Sequence, residues 1–190
     1  MMASILPFDE LNALKIDIGK RFAQGKLKKQ DEEDIIDELF DLLLLAYAMG
    51  DSITLQDLGV VLPVSQEPTM YDVLKVVNKK VADKTWKERV KDYFANGGTE
   101  EDIARVAETE MHRVANTAAL ETAKKAGATK KTWVTMADEK VRDTHQYLEN
   151  MTVGIDEDFY TYDGDSASAP GMFELAQNNV NCRCELKFGV

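Results

Sequence analysis

The chain has 190 residues, 44% of them apolar and 30% charged, which suits a folded core and excludes a wholly disordered chain. Lys and Arg number 23 against 34 Asp and Glu, for a net charge of -11. That balance argues against a dedicated reader of duplex DNA, which needs cationic contacts to phosphates, and against an anionic membrane as partner.

The N-terminal third reads as helices. Phe8, Leu11, Leu14, Ile18 and Phe22 recur on one helical face, and Gly25 follows as a stop. A second helix opens in the acidic run Asp31 to Asp34, where negative charge suits the helix dipole. It carries Ile35, Ile36, Leu39, Phe40, Leu42 and Leu43 and is expected to end near Gly50. So wide an apolar surface must be covered by other helices, by a partner, or by both. Ser52 or Thr54 is expected to cap a short third piece, and Pro63 and Pro68 bracket a linker. Leu39 to Met49 is the longest apolar run. It is too short to span a bilayer and is interrupted by Asp41. The N-terminal residues lack the cationic and apolar regions of a signal peptide.

Met70, Leu74, Val77, Val81, Val90 and Phe94 predict one long helix from about Thr69 to Phe94, stopped by Asn96-Gly97-Gly98. Thr99 and Asp102 form a variant capping box for the next helix, which runs to about Lys125 before Gly127. The pattern then changes. Lys131 to Met136, Met151 to Ile155, Phe159 to Tyr162 and Cys182 to Phe188 suit strands. Asp138 to Glu149 suits a short helix, and Asp163 to Gly171 a loop. The expected fold class is α+β. A helical region over residues 1-66 leads through a helical stem, 67-98, into a small α+β domain, 99-190. A short sheet in that domain is expected to pack on the helix from Thr99 to Lys125.

Charge is uneven along this path. Residues 71-131 carry 13 basic and 10 acidic side chains, whereas 137-174 carry 2 basic and 10 acidic. Lys124, Lys125, Lys130 and Lys131 form the one basic cluster that a nucleic-acid contact could use. The preferred reading is a solvated surface beside an acidic lobe.

The C-terminal half holds an ordered set of motifs. Thr109-Glu110-Met111-His112-Arg113 leads to Asn116, then come Trp133, Asp138, Arg142 and His145. A Val153 to Phe159 run, Pro170-Gly171 and Asn181-Cys182-Arg183-Cys184 complete it. This order resembles the C-terminal domain of the phage Mu F-like minor head protein family, over roughly Glu101 to Leu186. The resemblance implies a non-enzymatic minor capsid protein for head morphogenesis in a tailed phage or prophage. It also implies portal or capsid proteins as partners, possible contact with packaged DNA, and residence in the virion after assembly in the bacterial cytoplasm. In that reading Glu110, Arg113, Asn116, Trp133, Asp138, Arg142, His145, Asn181, Cys182, Arg183 and Cys184 are a structural motif.

The same residues admit other chemistry. Cys182 and Cys184, two apart on a strand, point to one face. With His145 they would offer three zinc ligands, and Asp138 or Asp143 could supply a fourth. Many members of the family carry Cys-x-x-Cys where this chain has Asp143 to Gln146. The preferred reading has two small buried thiols and a hydrogen-bonded histidine, with no cofactor. A hydrolytic Cys/His centre is the enzymatic alternative, but no nucleophile elbow accompanies it. Glu108 and Glu110 spell the E-x-E of ADP-ribosyltransferases inside a predicted helix, where Glu110 would pair with Arg113 instead. A DNA-binding packaging factor is the third reading.

Overall fold

A computed structural model describes residues 7-24, 27-60, 69-81 and 83-190. Gly25 and the linker with Pro63 and Pro68 lie outside the described residues. The elements run α1 (Phe8–Ala23), α2 (Lys29–Leu58), α3 (Met70–Val77), α4 (Trp86–Asn96), α5 (Glu100–Lys125), β1 (Lys130–Val134), α6 (Asp143–Gln146), β2 (Thr152–Gly154), β3 (Phe159–Tyr160), β4 (Ser166–Ala167), α7 (Ala176–Asn179) and β5 (Glu185–Gly189). The fold is α+β, with helices first and small antiparallel sheets last. β1 is central in a sheet of order β2-β1-β5, pairing Trp133 with Leu186, and β3 pairs with β4.

α2 passes straight through Gly50, where a stop was expected, and ends at Gly59 in the left-handed region. The apolar stripe explains the length. Ile35, Leu39, Leu42, Leu43 and Ala46 are buried, and α2 lies along α5. Gly50 allows the two backbones to meet: a Cβ there would stand 2.3 Å from the Ala115 carbonyl oxygen. Thr54 does not cap a new helix. Its hydroxyl donates to the Gly50 carbonyl at 2.8 Å, within the same helix.

The predicted stem is two helices. Between α3 and α4 the chain turns through Asp83 in the left-handed region, with Val81 and Lys84 bridged. Thr85 then starts α4 with a full capping box: its hydroxyl accepts from Glu88 N at 3.3 Å, and Glu88 accepts from Thr85 N at 2.8 Å. Thr69/Asp72 and Thr99/Asp102 repeat this device at α3 and α5. Three Thr-x-x-acid signatures thus mark three starts, and the one at Thr85 overrides a continuous apolar period. The expected helix over Asp138 to Glu149 shrinks to α6, one turn. Arg142 is extended and immediately precedes it.

Two cores result. The larger joins α1 to α5 around Ile18, Ile35, Leu39, Val73, Val90, Ile103 and Met111. The smaller gathers Trp133, Leu148, Phe159, Ala167, Phe173, Cys182 and Cys184 behind the three-stranded sheet. α5 serves both. Its apolar residues fill the first core, and its Asn116 reaches the second, donating to the Cys184 carbonyl at 3.1 Å.

Candidate functional site

The ordered motif set folds into two adjacent clusters on either side of α5. The first is a buried ionic knot. Glu110, fully buried, pairs with Arg113 at 3.0 Å and with Arg89 of α4. Arg113 also donates to the Val76 carbonyl at 3.1 Å and, more weakly, to that of Lys79. It therefore caps the open C-terminal end of α3, where orphan carbonyls favour a cation. Arg113 turns toward α3 and α4, whereas Thr109 and Asn116 bond into the C-terminal lobe: the Asn181 N–H donates to the Thr109 hydroxyl at 3.4 Å, and Asn116 donates to the Cys184 carbonyl at 3.1 Å. The Pro170-Gly171 turn lies on the stem of Arg113: a Cβ at Gly171 would be 2.5 Å from Arg113 Cγ, and Gly171 has φ +82°. The glycine is thus required twice, by the backbone and by the contact.

The second cluster is the candidate metal centre. Asn181 takes a left-handed conformation, φ 57°, which asparagine tolerates better than most residues. The chain turns there and delivers Cys182 and Cys184 inward. Arg183, between them, points out and holds Asp138 in a bidentate pair at 2.7 and 2.8 Å. Arg142 grips the same turn from the other side, donating to the Gln177 and Val180 carbonyls at 2.6 and 2.5 Å. His145 from α6 meets both sulfurs with one nitrogen: Nδ1 lies 3.6 Å from Cys182 Sγ and 3.4 Å from Cys184 Sγ. All three residues are buried, and their ligand atoms lie within 4.8 Å of one another. Trp133, fully buried, meets the imidazole edge-on at 5.4 Å, and Phe173 stacks on it at the same distance.

Electrostatics sets the two thiols apart. A hydrogen bond from Cys184, and then His145, drive Cys182 well toward the thiolate, against the cost of burial. The hydrogen bond to Cys182, and then burial, hold Cys184 protonated. The cleft that reaches these sulfurs holds only about 10 Å³, room for a water or an ion but not for a substrate, so an acidified thiol there has no nucleophile's geometry.

The structure brings together His145, Cys182 and Cys184 and keeps Asp138 with Arg183, away from the sulfurs. The four lysines do not form one basic face. Lys131 is buried, donates to the Ser168 carbonyl at 2.8 Å and sits over the Phe159 ring. Its ammonium is pushed down to about 8, first by burial. Lys124 pairs with Asp156 at 2.6 Å, which leaves Lys125 and Lys130 as exposed charges. Glu108 and Glu110, two apart on a helix, cannot share a face, and Glu110 is sealed under two arginines.

Sequence reasoning missed the residues that tie down the loop between β4 and α7. Asp165, buried, accepts from the Ser166, Glu174 and Leu175 amides and from the Asn178 side chain. Asn179 binds the Phe173 backbone at both ends of its amide. The signal was a loop rich in Asp and Asn, the residues that substitute side-chain for backbone partners. A cleft of about 540 Å³ lies apart from this cluster, between α2 and β5, lined by Thr54, Asp57, Asn116, Glu185 and Phe188 among others. Burial raises the Glu185 carboxyl there.

Comparison with known proteins follows the same outline. The family described as Phage Mu protein F like protein matches residues 74-187. An NAD(+)-arginine ADP-ribosyltransferase of Enterococcus faecalis is 43% identical over 84 residues, 42% of this chain and 17% of that protein. The minor head protein GP7 of Bacillus phage SPP1 is 35% identical over 83 residues, again 42% of this chain and 27% of the relative. The chain therefore spans well under a third of the length of either curated relative. No solved structure matches.

Proposed function

Because this chain belongs to the phage Mu protein F-like family, we propose that it is a minor head component of a tailed phage or prophage. In this reading it binds portal or capsid protein during head assembly and catalyses nothing. The observation that carries the proposal is the extent of the family match. Residues 74-187 take in both clusters, β1 to β4 and the first part of β5, while α1 and α2 lie outside it. The relative named as a minor head protein supports the same role.

The geometry supports a binding module over an enzyme. The sulfurs and imidazole are buried, and Glu110 is locked between Arg89 and Arg113. The ADP-ribosyltransferase relative shares 84 residues that are 17% of its length, so its name does not carry activity to this chain. Dispersal of the lysines likewise weighs against a DNA-packaging surface on α5. α2 spends its apolar face on α5, so docking on portal or capsid falls to surfaces other than that stripe.

Quantitative mass spectrometry of procapsids and particles from the induced source strain tests the proposal. The expected result is a constant, substoichiometric ratio to the major capsid protein. Absence from both procapsids and finished heads overturns it.

A further inference from the structure

We propose that His145 Nδ1 and the thiolates of Cys182 and Cys184 bind one zinc ion. The site is independent of the head-assembly reading, since a metal staple can serve any function the module has.

Geometry is the first support. With Zn–S of about 2.3 Å and Zn–N of about 2.0–2.1 Å, a tetrahedral ion separates its sulfur and nitrogen donors by about 3.5 Å. The two sulfurs lie 3.4 and 3.6 Å from His145 Nδ1. Both edges thus match the coordination polyhedron without moving a side chain. Two thiolates and one imidazole form a soft to borderline donor set that favours zinc over magnesium or calcium.

Charge and hydrogen bonding are the second support. Two thiolates neutralise a divalent ion, so the loaded site buries no net charge. Both sulfurs converge on a single imidazole nitrogen, which has only one hydrogen bond to offer them. The Trp133 indole N–H is also buried without a hydrogen-bond partner, in the same small core as Cys182 and Cys184. A metal-bound thiolate is the acceptor such a donor suits, the kind of outer contact that orients and tunes metal ligands. The turn itself is pre-formed: Asn116 holds the Cys184 carbonyl and Arg142 the carbonyls of Gln177 and Val180.

Access is the third. A narrow cleft lined by Met136, Lys140, Arg142 and Arg183 opens on the three ligands. It supplies an entry path and a fourth position for water, because Asp138 is committed to Arg183. The ion would staple α6 to the Asn181 turn in the part of the molecule with the smaller core, where a metal adds most.

The test uses the full chain, purified in a non-thiol reductant. Zinc is measured by elemental analysis, and cobalt is titrated as a spectroscopic substitute. The expected result is one equivalent of zinc and a tetrahedral cobalt spectrum with thiolate charge-transfer bands. Both cysteines should be protected from maleimide until a chelator is added. Cys184→Ser should weaken zinc binding more than about 100-fold, beyond the 10–100-fold typical of losing an outer partner, and Trp133→Phe should fall within that outer-partner range. Asp138→Asn should leave affinity unchanged. Should Cys184→Ser fail to fold, the wild-type titration and the zinc-induced rise in melting temperature stand alone as the test. The site is overturned if the reduced, folded chain takes up neither ion. It is equally overturned if cobalt binds without thiolate bands, or if folded Cys184→Ser keeps wild-type affinity.

Discussion

The helical layer and the C-terminal lobe are held together by different physics. From α1 to α5 the core is a broad apolar cluster of Leu, Ile, Val and Ala, with the Glu110 knot as a buried exception. The C-terminal lobe packs six buried residues around Trp133 and surrounds them with directional bonds made by Arg142, Asp165, Asn178 and Asn179. The difference follows from size. A small lobe cannot bury enough apolar surface to offset the entropy of ordering its loops, so each loop carbonyl needs a specific donor. Hydrophobic packing tolerates exchange of one apolar residue for another, whereas a clamp made of one arginine and two carbonyls does not. The polar residues of the ordered C-terminal motif accordingly act as clamps, Arg142 on two carbonyls and Arg183 on Asp138.

The strongest way to break this comparison is Trp133→Ala. Truncating a fully buried tryptophan costs about 3–5 kcal/mol. Hydrogen exchange should show amide protection lost across 128-190 while α2 and the first half of α5 keep theirs. Uniform loss along the chain would make the two cores one cooperative unit.

A smaller effect comes from His112, at the seam between the cores. Its imidazole is buried with neither nitrogen paired, and burial pushes it down to about 4 from 6.5. The unfolded chain therefore binds the proton first, and stability falls as pH drops from about 6.5 to about 4. The shift corresponds to about 3 kcal/mol. Urea unfolding of the wild type and His112→Leu across that range should show the variant lacking this part of the slope. Parallel profiles would mean that the seam opens to water.

The smallest effect sharpens the account of the lobe. Asn181→Ala should cost about 1–2 kcal/mol through its left-handed backbone, and Asn181→Gly should restore most of it. Chemical denaturation of the three proteins reads the difference directly. Equal losses in both variants would mean that the side chain, and not the backbone, matters there.

Much of the helical layer was legible in the sequence, because one amphipathic period per helix carries the information. The errors came where a local signal competed with that period. Gly50 looked like a stop but is the point of closest approach of α2 to Ala115. Thr85 to Glu88 was a start signal hidden inside a continuing apolar stripe. In the lobe, Trp133 as a core anchor and Arg142 as a carbonyl clamp were readable from residue type. Asp165 and Asn179 were not, since a loop's bond partners depend on how distant segments meet.

The sequence alone determined the α+β class and the order of helices before strands, because these rest on local periodicity and residue type. Tertiary structure decided which polar groups face each other. It placed Cys182 and Cys184 on one nitrogen of His145, took Asp138 from them for Arg183, and buried Lys131 over the Phe159 ring. Spacing along a chain constrains a face within one element. Which two faces come together across a separation of 37 positions, as with His145 and Cys182, is settled only when the core closes.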